Sequence, residues 1–278
     1  LYSPESQLAA MTPGGTVDFA AQRHAHDLIG WGTAASELHY QYEVLAQWNL
    51  SLGTLTGIDL LVLPSVEVLS GKTVNQVLRP WVEAGGTLVL SGACGGRHDA
   101  SGGHARVDNG AMMQRELCAL LGMSAERPCP ERVDAGVGEG RVVVVPALGL
   151  SYYQTEPNER EPDAIAEVLD ALCPQARLVG GNLPRELEVA VFRSPSTGAI
   201  SLDVANLDMR PGIDEAPRPH PLNLRLLLPR EGLNVDSALL LRPGEPPERL
   251  GVTVDGNVAS LDPIDLESYA SVVLTIGP

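Results

Sequence analysis

The sequence predicts an α/β domain built on a doubly wound, mostly parallel sheet, followed by a small antiparallel β-sandwich. Three observations carry this prediction. Two short apolar runs, Ile58–Pro64 and Thr87–Ser91, have the uninterrupted hydrophobicity of strands buried on both faces, and a helical stripe lies between them. After Cys173-Pro174 the hydrophobic period changes from that of a helix to two, so that Ile200, Leu202 and Val204 alternate with Ser201, Asp203 and Ala205. The 278 residues exceed the ~100–150 of a typical domain, which leaves room for two, here read as 1–175 and 176–278.

Taken in order, Leu1-Tyr2 followed by the turn-like Ser3-Pro4-Glu5-Ser6 suits the tail of a strand. The chain opens at Leu1 without an initiator Met or a signal segment, and is expected to be a processed or excised piece. A helix is predicted from about Ala35 to Asn49, because Leu38, Tyr42, Leu45 and Trp48 recur at three and four. That places Tyr42 and Trp48 in the core and leaves Trp31 and Tyr40 more open. Lys72–Ala84 carries Val74, Val77, Leu78, Trp81 and Val82 on one stripe, with a kink expected at Pro80 and a stop at Gly85-Gly86. Strand, helix and strand joined by short connections form a right-handed βαβ unit. Further helices are read at Met113–Gly122 and Pro162–Leu172, with a β-branched strand at Arg141–Val145 between them.

Beyond residue 176, Leu187–Phe192, the Leu222/Leu224/Leu226/Leu228 alternation, Val235–Leu241, Leu250–Val254 and Ser271–Ile276 give short strands separated by Gly, Pro, Asn and Asp. Met209–Pro221, with its prolines and arginines, reads as an exposed loop.

Composition excludes several functions. Nineteen Lys+Arg against thirty-five Asp+Glu leave a net charge of −16, which repels a phosphate backbone or an anionic bilayer, so neither nucleic acid nor membrane is an expected partner. No apolar run reaches the ~20 residues of a membrane span. The four cysteines are widely spaced without a C-x-x-C pair, so no disulfide framework or zinc ribbon is indicated, and a reducing cytoplasm is expected. No G-x-G-x-x-G or P-loop is present, and no cofactor is expected.

The run from Ile58 to Gly96, with Leu63-Pro64-Ser65, Trp81-Val82-Glu83-Ala84-Gly85-Gly86-Thr87 and the later Leu120-Leu121-Gly122, resembles the class I glutamine-amidotransferase-like domain. More narrowly it is similar to the trimerisation domain of glycoside hydrolase family 42 β-galactosidases, which a small C-terminal β-domain follows. The resemblance implies an upstream (β/α)8 barrel that holds the two catalytic carboxylates, a homo-oligomer such as a trimer, and a role for this chain in assembly and active-site shaping.

Gly92-Ala93-Cys94-Gly95-Gly96 at the end of a buried strand has the form of a nucleophile elbow, which makes Cys94 the candidate catalytic residue. In amidotransferase-like domains the base comes from an H-x-E segment. Here the candidate segment reads Gln154-Thr155-Glu156, and glutamine cannot take up the proton, so a degenerate elbow with a structural Cys94 is the competing reading. His98 and His104 lie in the Gly-rich loop that follows and are candidate ligand-binding residues, as are Tyr152 and Glu156; an incidental surface loop and strand-end packing are the plainer alternatives. Their spacing matches no metal signature. The pair His24 and His26 is expected to be exposed. Two other function classes remain open: a stand-alone Cys94-dependent hydrolase, and a carbohydrate- or protein-binding module on the sandwich.

Overall fold

A computed structural model describes residues 1–3, 6, 22–92, 94, 113, 115–123, 132–207, 220–229 and 233–277. The fold is mixed α/β, with one partly parallel sheet and several antiparallel ones. It divides into two compact units: Leu1–Ala34 with Glu43–Cys173, and Ala35–Tyr42 with Pro174–Pro278.

In the first unit, β1 (Leu60–Pro64) and β2 (Thr87–Ser91) pair in parallel from Leu60 opposite Thr87 to Pro64 opposite Ser91. Both coincide with the predicted buried runs. β3 (Val133–Val137) and β4 (Gly140–Val145) form a hairpin whose second strand joins β2 in parallel, giving the order β1-β2-β4-β3. Gly138 turns the hairpin at φ 62°, in the left-handed region that glycine enters without a Cβ penalty. Leu1–Ser3 lies alongside: Tyr2 bridges Ala46 in parallel, and the Leu1 amine donates to Val62 O at 2.7 Å.

The predicted helix after β1 is present as α2 (Gly71–Thr73), a π-helical turn (Val74–Leu78) and α3 (Arg79–Glu83), which follow α1 (Arg23–Glu37) in the chain. Ser70 caps its start by accepting from Thr73 N at 2.9 Å. Where a kink was expected at Pro80, the helix widens just before it; a proline has no N–H to return, so a wider turn spares the backbone a missing bond. Gly86 lies under the Trp81 indole, where a Cβ would come within 2.3 Å of the ring. Then come α4 (Arg115–Leu120), α5 (Leu148–Gln154) and α6 (Asp163–Leu172). The core gathers Leu63, Leu78, Leu88, Leu90, Leu117 and Val144, all fully buried.

One helix is displaced from its expected position. No helix runs from 35 to 49; α1 ends at Glu37, and a single 3₁₀ turn, Gln47–Asn49, follows. His39 closes α1 in the left-handed region at φ 60°, with its N–H bonded to Ser36 O. The expected burial is therefore reversed. Trp31 and Tyr40 are 5% and 4% exposed, whereas Tyr42 and Trp48 are 53% and 67% exposed. The 38–42–45–48 spacing has no helix to act on.

The second unit is antiparallel. Its strands are β5 (Val179–Gly181), β6 (Leu187–Arg193), β7 (Ile200–Asn206), β8 (His220–Leu222), β9 (Leu224–Leu227), β10 (Val235–Leu241), β11 (Glu248–Leu250), β12 (Val252–Asp255), β13 (Val258–Leu261), β14 (Ile264–Leu266) and β15 (Tyr269–Ile276). They form sheets in the orders β11-β10-β15-β7-β6, β12-β13-β9-β5 and β14-β8. The alternating leucines 222, 224, 226 and 228 are all buried and join Leu202, Val204, Ala238, Val272 and Leu274 in one core. His220-Pro221, expected in a loop, starts β8 instead. The Gln41 side chain attaches Ala35–Tyr42 to this unit: its amide donates to Val189 O at 3.1 Å and accepts from Val191 N at 3.0 Å, which satisfies the outer edge of β6.

Among the described residues, no helix is long and apolar enough to cross a membrane.

Candidate functional site

The polar residues of the first unit converge where β1 and β2 end. Along α1, His24, Asp27, Trp31 and Ala34 recur at three, four and three, and all four are buried, while Ile29 on another face is 49% exposed. The helix thus buries a face whose first two members are ionisable. A buried carboxylate is tolerated only where hydrogen bonds replace water.

Asp27 has those bonds. Ser65 Oγ donates to its Oδ2 at 2.8 Å, Ser91 Oγ donates to the same oxygen at 2.9 Å, and Leu150 N at the start of α5 donates to Oδ1 at 2.9 Å. Trp31 Nε1 donates to Ser91 Oγ at 3.0 Å, which leaves the single hydroxyl proton of Ser91 for the carboxylate. Burial pushes the Asp27 carboxyl up to about 6, against the bonds from Ser65, Ser91, Leu150 and Gly149 that favour its ionised form.

Backbone geometry makes this convergence possible. Ser65 stands at φ 41°, a left-handed conformation that serine seldom adopts, and its N–H bonds Ser91 O at 2.8 Å. Helices α1 and α5 touch through backbone: a Cβ on Gly30 would stand 1.9 Å from Gly149 O, and one on Gly149 would stand 2.2 Å from Asp27 O. Only glycine at both positions lets Leu150 N reach Asp27.

One turn earlier, His24 is locked as a neutral ring. Its Nδ1 donates to Pro64 O at 2.6 Å and its Nε2 accepts from Ser3 N at 2.8 Å, so the proton sits on Nδ1. Burial pushes it down to about 4. The expected exposure of the His24/His26 pair is thus corrected for His24, which is 2% exposed. His26 is half-buried and stacks on Tyr153 with ring centroids 4.5 Å apart.

The candidates from sequence fall in different places. Cys94 has no accessible surface; its thiol points to Leu63 O at 3.4 Å and Ser91 O at 3.7 Å. An external electrophile reaches such a sulfur only through local opening. Tyr152 is buried on α5 with the Arg160 guanidinium 5.6 Å over its ring, and Glu156 is exposed between α5 and the 3₁₀ turn Pro157–Glu159. His98 and His104 lie outside the described residues. Among the described residues no group of His, Cys, Asp and Glu is arranged to hold a metal ion.

Chemically, the Asp27 cluster is a lock. Its carboxylate oxygens and both His24 nitrogens are engaged inside the protein, and no side chain in it faces solvent. It ties the ends of β1 and β2 to α1 and α5, at the sheet edge where α/β proteins place ligands. Sequence reading passed over Asp27, because its partners are 38, 64 and 123 residues away. The one usable signal was the 24–27–31–34 spacing, which polar residues disguise.

No family model matches the chain, and no curated protein matches it. Among solved structures, the chain is similar to alpha-L-fucosidase isoenzyme 2 from Paenibacillus thiaminolyticus, with a TM-score of 0.61 and 12% identity. The match covers 91% of this chain and 45% of that one, so the chain spans less than half the length of the structure it resembles. At this identity the likeness is one of fold.

Proposed function

We propose that this chain is a non-catalytic portion of a glycoside hydrolase, an amidotransferase-like doubly wound domain with its C-terminal β-sandwich, serving assembly and active-site shaping rather than bond cleavage. The observation that carries this reading is the fold likeness to less than half of a fucosidase, over nearly all of this chain. The locked Asp27 cluster supports it. Glycoside hydrolysis needs two carboxyl groups that flank a substrate, about 5–5.5 Å apart for retention or 6.5–9.5 Å for inversion, and Asp27 is sealed from any substrate. A β-galactosidase-like parent, an upstream barrel, a homo-oligomer such as a trimer and a cytoplasmic location belong to the same proposal; three buried cysteines held as thiols fit a reducing compartment.

The test is hydrolysis of p-nitrophenyl β-D-galactopyranoside and p-nitrophenyl α-L-fucopyranoside by this chain and by the full-length gene product. The expected result is turnover by the full-length product alone. Turnover by the isolated chain overturns the reading.

A further inference from the structure

A cavity of about 350 Å³ opens in the β unit where the β6–β7 connection, the start of β7 and the end of β15 meet. Its floor is apolar: Ile200 and Leu233 are buried, and Ile276 is half-buried. Its one ionisable lining residue is Arg193. A concave apolar surface with a few placed polar groups is the common form of a small-molecule site.

Strand register explains how a cation comes to stand there. Along β6, Leu187, Val189 and Val191 face the core, and Arg193 is the next member of that row, directly opposite the buried Ile200 of β7. Its stem therefore leaves the core side of the sheet, where the cavity begins. Among the described residues it has no ion-pair or hydrogen-bond partner, although acidic residues outnumber basic ones thirty-five to nineteen in the chain. An inward-pointing charge also guards an edge strand against pairing with another sheet, but that role needs no cavity beside it.

The groups that line the cavity define the ligand's chemistry. Arg193 presents donors only, in the planar fork that fits a carboxylate through parallel hydrogen bonds. Thr197 Oγ1 accepts from Ala199 N at 3.2 Å, within a turn closed by Gly198 N to Ser194 O at 2.9 Å, so its hydroxyl proton is left to donate. No acidic residue lines the cavity. Asp236 lies against Gly277 without joining the lining, and its carboxylate accepts from the Asn234 side-chain amide at 2.9 Å. A cationic ligand thus finds no counter-charge, and a bare inorganic anion leaves the apolar floor uncovered. A phosphate monoester brings close to two charges to a single cation. A carboxylate on a small apolar body matches both the cation and the floor.

We propose that this cavity is a binding site for a small organic monocarboxylate, with Arg193 and Thr197 on the carboxylate and Ile200, Leu233 and Ile276 under the apolar body. The site belongs to the β unit alone and goes beyond the hydrolase reading, which involves neither these residues nor this class of ligand.

The test is isothermal titration calorimetry of the full chain with octanoate and phenylacetate, and with acetate and 1-octanol as the charged and apolar halves of the ligand. The expected result is one-site binding of at least one of the two larger carboxylates with a Kd below about 1 mM, weakened about tenfold or more by Arg193→Gln at an unchanged Tm. Arg193→Lys, which keeps the charge without the planar fork, binds with intermediate affinity. Arg225→Gln, which removes an exposed arginine from β9, leaves the affinity within about twofold. Acetate and 1-octanol each bind about tenfold or more weakly than the whole ligand. No one-site binding of either larger carboxylate overturns the proposal, as does binding that Arg193→Gln leaves intact or that Arg225→Gln weakens equally. Acetate that binds as tightly as octanoate and phenylacetate also overturns it, because the apolar floor then contributes nothing. The hydrolase reading is tested separately, by hydrolysis with the full-length product.

Discussion

Ser65 Oγ donates to Asp27 Oδ2 at 2.8 Å from a backbone held at φ 41°, so a strained residue at the end of β1 and a buried carboxylate on α1 fix one another. The strain costs on the order of 1–3 kcal/mol, and the charge-assisted bond that it permits returns roughly as much. Strand end and helix are therefore specified together.

Asp27 and His24 oppose one another in pH dependence. Asp27 is raised from 3.8 to about 6 on folding, so between those values the folded state holds a proton that the unfolded state has lost, and stability falls as pH rises. His24 is lowered from 6.5 to about 4, so the unfolded state holds the extra proton and stability rises over nearly the same window. Each contributes on the order of 3 kcal/mol at about 1.4 kcal/mol per pH unit, with opposite sign. Asp27→Asn is expected to destabilise more at pH 4 than at pH 7, and His24→Gln more at pH 7 than at pH 4. Urea unfolding of both variants and the wild type at the two pH values checks the crossing.

The glycine contact of α1 with α5 gives a sharper test of packing. Gly30→Ala or Gly149→Ala places a methyl inside backbone atoms and is expected to cost about 3 kcal/mol or more. Gly53→Ala, where the nearest atom is Ser51 Oγ at 3.7 Å, is expected to stay within about 1 kcal/mol of the wild type. Thermal melts of the three variants distinguish a crowded crossing from a general preference for glycine.

Cys94 is expected to resist iodoacetamide in the folded chain and to react once urea opens the core, since its sulfur has no accessible surface. Peptide mass spectrometry after timed alkylation reads the outcome. Rapid labelling of the native chain would revive a thiol-dependent activity.

These contrasts show what the sequence makes legible. β1, β2 and β10 carry uninterrupted or alternating apolar residues, and pattern alone places them. The helix over Arg23–Glu37 contains two histidines, an aspartate and two glycines, and it is stabilised by contacts far away in sequence, so local pattern conceals it. Over 35–49 an accidental apolar spacing overlies the end of that helix and an irregular segment, part of which pairs with β6 through Gln41. Short strands such as β5, β8 and β14 have three residues each and give too little periodicity to read. The elbow-like Gly92 to Gly96 is legible because its pattern is local, whereas the Asp27 lock joins four distant segments and has no local signature.

The central claim, that this chain works as an accessory part of a larger hydrolase, is tested most directly by the intact mass of the endogenous polypeptide in the source cells. The account predicts a product well above 29.4 kDa, heavier by a barrel of roughly 200 to 400 residues. An endogenous product of 29.4 kDa would contradict it.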